Sequence, residues 1–353
     1  MLYNKIMKKL KFLVLIVAVS LLCVNLVGCK KVNTFESYDY FNCYTLIKTD
    51  KSNSKKFEEF IIEAENLLNT LQRCFDSVNG EVSLINNASV KKTVEISQDT
   101  FNILKNCQTA YTFTDKKFNP AIYQINSLWN FTPDKYKGVN GNYTLPSDEE
   151  ILALLPKTDY TSLVVFENNG YFAYKTDDVK IDLGGIAKGY AIEKITKIYS
   201  EYDFGDGYIN LGASSIAVFG KKTVSIKNPL PNANGTFIDI KTFGTTYIST
   251  SGNYERYYTI DGTTYGHVID PATGKPTTSE IISATVIGQP VLGDALSTAL
   301  LAMDRETATS FIKEKLSDKK VILVAKSYNG VEVLINFTGD YTLTNNNFNI
   351  VNI

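Results

Sequence analysis

Ile181-Asp182-Leu183-Gly184-Gly185-Ile186-Ala187-Lys188-Gly189-Tyr190-Ala191-Ile192 joins an apolar, β-branched lead-in to two adjacent glycines, a lysine and a helix-forming segment. Two glycines without Cβ atoms let a backbone come close to a ligand. The helix that follows offers unpaired N–H groups and the positive end of its dipole, and Lys188 adds a mobile cation. That is chemistry for gripping a phosphate ester. The run is not the G-x-x-x-x-G-K-[ST] loop of common nucleotidases, and a helix start without any ligand explains it as well.

Around this run, helical and strand patterns mix. Phe57, Phe60, Ile61, Ala64, Leu67, Leu68 and Leu71 recur at three- and four-residue steps and predict an amphipathic helix. A second helix is expected over Ser97–Phe113, a third from the glycine run to about Tyr199, and others over Gly293–Leu301 and Arg305–Lys315. Tyr38–Lys48 reads as one strand, and Thr161–Phe166 with Tyr171–Tyr174 as a hairpin about Asn168-Asn169-Gly170. Further strands are expected near Tyr208–Leu211, Ile216–Phe219, Thr223–Lys227, Phe237–Lys241, Thr246–Ser249, Arg256–Ile260, Ala284–Gly288, Val321–Ala325 and Val331–Ile335. Without regular βαβ alternation this is an α+β fold, mixed and mostly antiparallel sheets with packed helices. Thr132–Leu145 reads as a loop or insertion, and the Asn-rich Thr344–Asn352 as a disordered tail or an edge strand.

The N-terminus reads as an address. Lys5, Lys8, Lys9 and Lys11 precede an apolar run from Phe12 to Val27 that ends in Leu26-Val27-Gly28-Cys29. A basic segment, an apolar segment and small residues before a cut describe a secretory signal. The ending resembles a bacterial lipobox, which implies cleavage before Cys29 and lipidation of its sulfur; the bland alternative is an uncleaved membrane anchor. The expected organisation is a signal peptide over 1–28, a lipidated tether over 29–36 and one domain over 37–353, on the extracytoplasmic face of a bacterial membrane. Removing residues 1–28 takes four lysines and no acid, leaving 32 basic against 37 acidic side chains and a net charge of −5. No basic stripe remains, so nucleic-acid binding has no support. Cys43, Cys74 and Cys107 lack C-x-x-C spacing and suggest neither a zinc site nor a disulfide framework.

Three later clusters carry chemistry. His267, the single histidine of the chain, precedes Asp270 and a Pro/Gly turn. It is the natural general base near neutral pH, with Asp270 available to fix its tautomer or merely to shape the loop. Asp294 and Thr298 lie four apart on a helix, where hard oxygens suit Mg²⁺; an Asp cap and a Thr bonded back into its own helix are the plain alternative. Ser251, Gly252 and Arg256 lie in a hydroxyl-rich turn that suits the polar rim of a ligand, or an ordinary loop.

In order along the chain, Asp182–Ala191, Thr250–Arg256, His267–Gly274 and Asp294–Ala299 resemble the FAD:protein FMN transferase (ApbE-type) family, in its lipoprotein form. Phe118-Asn119-Pro120 with Leu128-Trp129 is similar to a further family segment, although Asn119 stands where the family has Asp. Asn210-Leu211-Gly212-Ala213-Ser214 departs from the family's Asn-Leu-Gly-Gly-Asp. The resemblance implies an ApbE-like fold and an enzyme that uses Mg²⁺ to split FAD, releases AMP and joins FMN through a phosphoester to a Thr or Ser of an exported redox protein. It implies Mg²⁺ ligands from Asp294, Thr298 and the carbonyl of Gly185, with Lys188 near the phosphates. It makes His267 the base for the acceptor hydroxyl, and Gly184, Gly185, Lys188, Ser251, Gly252, Arg256 and His267 the FAD contacts. The alternatives are a Mg²⁺-dependent FAD pyrophosphatase yielding FMN and AMP, or a flavin-binding lipoprotein without turnover.

Overall fold

A computed structural model describes residues 32–50, 53–131, 145–230, 233–254, 256–328 and 330–353. The signal and Cys29, and all but the last residue of the 132–145 loop, lie outside the described residues.

Nine strands make the main sheet, and their spatial order follows the chain: β1 (Asn33–Tyr40), β2 (Cys43–Thr49), β3 (Gly207–Leu211), β4 (Ser215–Phe219), β5 (Thr246–Gly252), β6 (Ile281–Ile287), β7 (Lys320–Ser327), β8 (Gly330–Ile335) and β9 (Asn349–Asn352). Every pair is antiparallel except β8 with β9. The tail is therefore an edge strand. Two expectations change here. Residues 33–36, expected in the tether, already belong to β1, which pairs from Asn33 with Thr49. The single strand expected over Tyr38–Lys48 is two, because Phe41 and Asn42 both adopt φ of 51° and turn the chain between Tyr40 and Cys43.

The period of two divides each strand between two cores. In β7, Val321, Leu323 and Ala325 join the helix-side core, while Ile322 and Val324 join a second core on the other face. That second core is closed by a three-stranded sheet, Lys222–Lys227, Thr236–Thr242 and Tyr341–Leu343, through Ile226, Phe237, Ile238 and Ile240. In β4, Ala217 and Phe219 face the helices and Val218 faces away, which puts Ser215 on the helix side. In β5, Ile248 faces away, which puts Ser249 and Ser251 on the helix side as well.

The α-helices among the described residues are α1 (Ser54–Phe75), α2 (Glu81–Asn87), α3 (Gln98–Phe113), α4 (Tyr123–Trp129), α5 (Asp148–Leu154), α6 (Ala187–Glu201), α7 (Val291–Leu301) and α8 (Arg305–Lys315), and all but α4 and α5 contribute to the helix-side core. Asn53 starts α1 by accepting the Lys56 amide at 3.1 Å, and the buried stripe from Phe57 to Phe75 packs it on α6. The helix α7 packs on α6, β5 and β6. Between β5 and β6 the chain makes an excursion over 253–280 that carries the hairpin Tyr257–Ile260/Thr263–Gly266. Tyr258 and Ile269 of this excursion share a third core with Ile125, Trp129 and Ile151 of α4 and α5.

Candidate active site

The glycine run is fixed before it reaches α6. Asn86 in α2 is buried and imitates a strand partner: its Nδ2 donates to the Ile181 carbonyl at 2.9 Å, and its Oδ1 accepts the Ile181 amide at 2.7 Å. Asp182 donates its amide to the Pro120 carbonyl at 2.8 Å, and its carboxylate accepts from Asn126 at 3.0 Å and from the Gly184 amide at 2.8 Å. The Phe118 ring lies against Gly185 and the Pro120 carbonyl holds the Asp182 amide, so the Phe118–Pro120 segment buttresses the loop. Asn119 holds its own turn through Oδ1 to the Ala121 amide at 2.9 Å, and donates Nδ2 to the Thr158 carbonyl at 2.8 Å. An ionised Asp could not make the second bond.

Space between the loop and α7 is scarce. A Cβ on Gly185 would stand 3.1 Å from the Phe118 ring and 3.5 Å from Thr298 Oγ1. One on Gly189 would stand 3.0 Å from the carbonyls of Pro290 and Val291 and 3.1 Å from Asp294 Cγ. The first turn of α6 therefore abuts the first turn of α7, and the Gly189 amide donates to Asp294 Oδ2 at 2.7 Å. Asp294 is buried and does not cap its own helix, whose start at Pro290 has no side-chain cap. Its carboxylate also accepts Ser249 Oγ at 2.7 Å and Ser215 Oγ at 2.8 Å. Thr298 does not bond back into its helix either; its hydroxyl is 3.3 Å from Ser251 Oγ, which sits 2.8 Å from Ser297 Oγ. Ser297 is the residue that bonds back, to the Asp294 carbonyl at 3.0 Å. Ser251, Asp294 and Thr298 thus gather hydroxyl and carboxylate oxygens beside Gly185 at the start of α6.

His267 and Arg256 reach the site from the excursion. The backbones pair, His267 N–H to the Arg256 carbonyl at 3.0 Å, and the same carbonyl lies 3.2 Å from His267 Nδ1. A carbonyl can only accept, so Nδ1 carries the proton and Nε2 is left with its lone pair. Burial lowers the His267 pKa from 6.5 to about 4, helped by the cations of Arg256 and Lys188 and opposed by the Arg256 carbonyl. The ring is neutral at pH 7. Asp270 is not its orienter: its carboxylate takes Lys117 Nζ at 3.2 Å and the Ala272 amide at 3.2 Å, and shapes the turn. Cys43 at the start of β2 feels the same two cations; burial raises its pKa and Lys188 and Arg256 oppose the rise. Gly252 lies under the Tyr254 ring, and Gly184 is exposed with its amide turned to Asp182.

Ser215, Ser249, Asn86 and Asp182 had no assigned part in the sequence reading. Nothing in a sequence reveals which hydroxyl meets a carboxylate 79 or 45 residues away. Among the described residues no group of three His, Cys, Asp or Glu side chains could hold a metal ion, so a cation here must rest on one carboxylate with hydroxyl and carbonyl oxygens. Mg²⁺ accepts such a set when substrate phosphate and water complete its shell. A cavity of about 390 Å³ between α3 and α6, lined by Lys105, Tyr190, Lys194 and Val291 among others, is bordered by none of these residues.

Comparison with known proteins identifies the family. The model of the ApbE family matches residues 42–323. A protein of Klebsiella pneumoniae (strain 342) named FAD:protein FMN transferase is 28% identical over 283 residues, covering 80% of this chain and 85% of that one. A Chlamydia pneumoniae protein of the same name is 25% identical over 305 residues, covering 80% and 89%. The crystal structure of the ApbE protein from Thermotoga maritima superposes with a TM-score of 0.72 at 25% identity, over 84% of this chain and 94% of that one. The flavin transferase ApbE from Vibrio cholerae gives 0.74 at 21% identity, over 86% and 97%.

Proposed function

The chain belongs to the ApbE family, and from that membership we propose that it is a Mg²⁺-dependent FAD:protein FMN transferase, tethered through a lipidated Cys29 to the outer face of a bacterial membrane. It would attach FMN through a phosphoester to a Thr or Ser of an exported redox protein. The observation that carries the reading is the meeting of the glycine loop, Ser251 and the Asp294/Thr298 pair at the start of α6.

Each residue then has a task set by its surroundings. Asp294, Thr298 and the Gly185 carbonyl would hold Mg²⁺, which when bound neutralises pyrophosphate and leaving-group charge. Lys188, half-buried in the first turn of α6, adds its charge to the helix dipole where the phosphates lie. Arg256 places a second cation beside His267. His267, neutral with Nε2 unprotonated, accepts the proton of the acceptor hydroxyl as that oxygen bonds to the FMN phosphorus. The bond from that phosphorus to the oxygen of AMP breaks, and the proton passes from His267 to solvent.

The test incubates the protein, truncated at Cys29, with FAD and Mg²⁺, with and without a threonine-containing acceptor domain. AMP together with acceptor-bound flavin is the expected result, and chelation of Mg²⁺ abolishes both. AMP and free FMN despite a competent acceptor would make the protein a pyrophosphatase. Retained FAD without AMP would make it a flavin binder.

A further inference from the structure

The buried Asp294 carboxylate is 6% exposed, and none of the ion pairs among the described residues includes it. Its charge is met by neutral donors alone: the Gly189 amide from α6, the Ser215 hydroxyl from β4 and the Ser249 hydroxyl from β5. Oδ1 accepts from both serines, and Oδ2 accepts the amide and shares the Ser215 proton at 3.0 Å. A carboxylate that is only an acceptor makes the direction of both hydroxyl protons unambiguous.

The two serines are themselves out of place by packing alone. Ser215 is 1% exposed and Ser249 2%. They occupy helix-facing positions of strands whose other helix-facing residues include Ala217 and Phe219. Alanine would fill either position without a hydroxyl to satisfy, and a buried hydroxyl costs free energy unless it is bonded. Both hydroxyls are spent on one carboxylate. Neutral donors orient that charge without forming an ion pair with it.

We propose that Ser215 and Ser249 are positioning residues for the divalent cation: together with the Gly189 amide they hold the Asp294 carboxylate in one orientation for the metal. The inference rests on the Mg²⁺ reading of the site. Partners that orient a metal-binding carboxylate typically change metal affinity about 10- to 100-fold when removed.

The experiment titrates Mn²⁺ alone into the protein and follows free Mn²⁺ by electron paramagnetic resonance, beside thermal melts with and without Mn²⁺. Wild type is compared with S215A, S249A, S215T and D294A. The expected result is Mn²⁺ affinity lower by about 10- to 100-fold in each alanine variant. The Mn²⁺-induced rise in Tm shrinks with it, while S215T, which keeps the hydroxyl, stays near wild type. The serines sit on different strands, so misfolding of one variant leaves the other to decide. Mn²⁺ binding within twofold of wild type in the folded alanine variants, with binding lost in D294A, overturns this proposal and leaves the metal site standing. Equal binding by wild type and D294A overturns both.

Discussion

Replacing Gly189 by Ala sets two opposing effects against each other. In a helix interior the exchange gains about 0.5–1 kcal/mol, because glycine loses more backbone freedom on folding. Against it stand three fixed neighbours, the Pro290 and Val291 carbonyl oxygens at 3.0 Å and Asp294 Cγ at 3.1 Å from the added Cβ. None is the free end of a flexible chain, so α6 and α7 must separate by a few tenths of an ångström, and such overpacking costs about 1–3 kcal/mol. The clash wins narrowly, by about 2.5 kcal/mol at most. For a folded unit of about 320 residues, unfolding entropy near 2 cal/mol/K per residue turns that into a Tm loss of about 4 °C or less.

Activity suffers more. The same separation stretches the 2.7 Å bond from the Gly189 amide to Asp294, a charge-assisted contact worth about 1.5–3 kcal/mol. AMP release from FAD should therefore fall by about 10- to 150-fold in a protein that still melts within a few degrees of wild type. Differential scanning fluorimetry and a coupled AMP assay on the same preparation measure both. A variant with raised Tm and AMP release within twofold of wild type would refute the close packing of the two helix starts as the basis of the site.

The neutral His267 predicts that kcat/KM for flavin transfer is flat from pH 8 down to about pH 5, with its acid limb near the lowered pKa of about 4; a limb at 6.5 or above contradicts the assigned surroundings. Stability follows the same group: between pH 6.5 and about 4 the unfolded chain takes up a proton that the folded chain refuses, so this contribution is complete above pH 6.5 and lost as pH falls toward 4, which urea melts across that window will show. His267→Ala should bind FAD nearly as wild type and transfer it slowly; flavin fluorescence titration separates the two, and a large loss of binding would remove the residue from its role as base. Trp129→Phe removes the 2.7 Å bond from Nε1 to the Gly274 carbonyl, leaving that acceptor unpaired in the core, and should cost about 1–2 kcal/mol in chemical denaturation. Cys29→Ser should abolish incorporation of labelled palmitate and release the protein from the membrane; continued incorporation would move the lipid elsewhere.

Long elements were legible because their signal is periodic. The stripe from Phe57 to Leu71 announced α1, and Ser97, accepting the Thr100 amide at 3.2 Å, marked the start of α3 within one residue. Short strands with alternation, such as Gly207–Leu211 and Tyr171–Lys175, were found, but other short elements were lost. The three residues of Val94–Ile96 hold no period, and α2, α4 and α5 are two turns each. A usable signal for α5 did exist: Ser147 and Glu150 form a reciprocal capping box. At the site, sequence order pointed to Gly185, Lys188, His267, Asp294 and Thr298 through their resemblance to a family, and the fold brings Gly185 against Thr298. It could not reveal Ser215 and Ser249, which lie in ordinary strand patterns and meet Asp294 only because alternation turns both toward α7. Nor could it show that Asp270 serves a turn, because a neighbour three residues along a bent backbone faces wherever the turn sends it.

The excursion over 253–280 leaves the sheet at Gly252 and returns beside it, since Gly252 and Ser283 are register partners. Its two roots are thus clasped together, and the loop hangs from the sheet as a pendant braced by α4 and α5. The oxygen cluster belongs to the woven body of the protein, whereas His267 and Arg256 belong to the pendant. A change along the pendant can therefore move His267 and Arg256 while the oxygen cluster, held by strands and helices, keeps its own geometry.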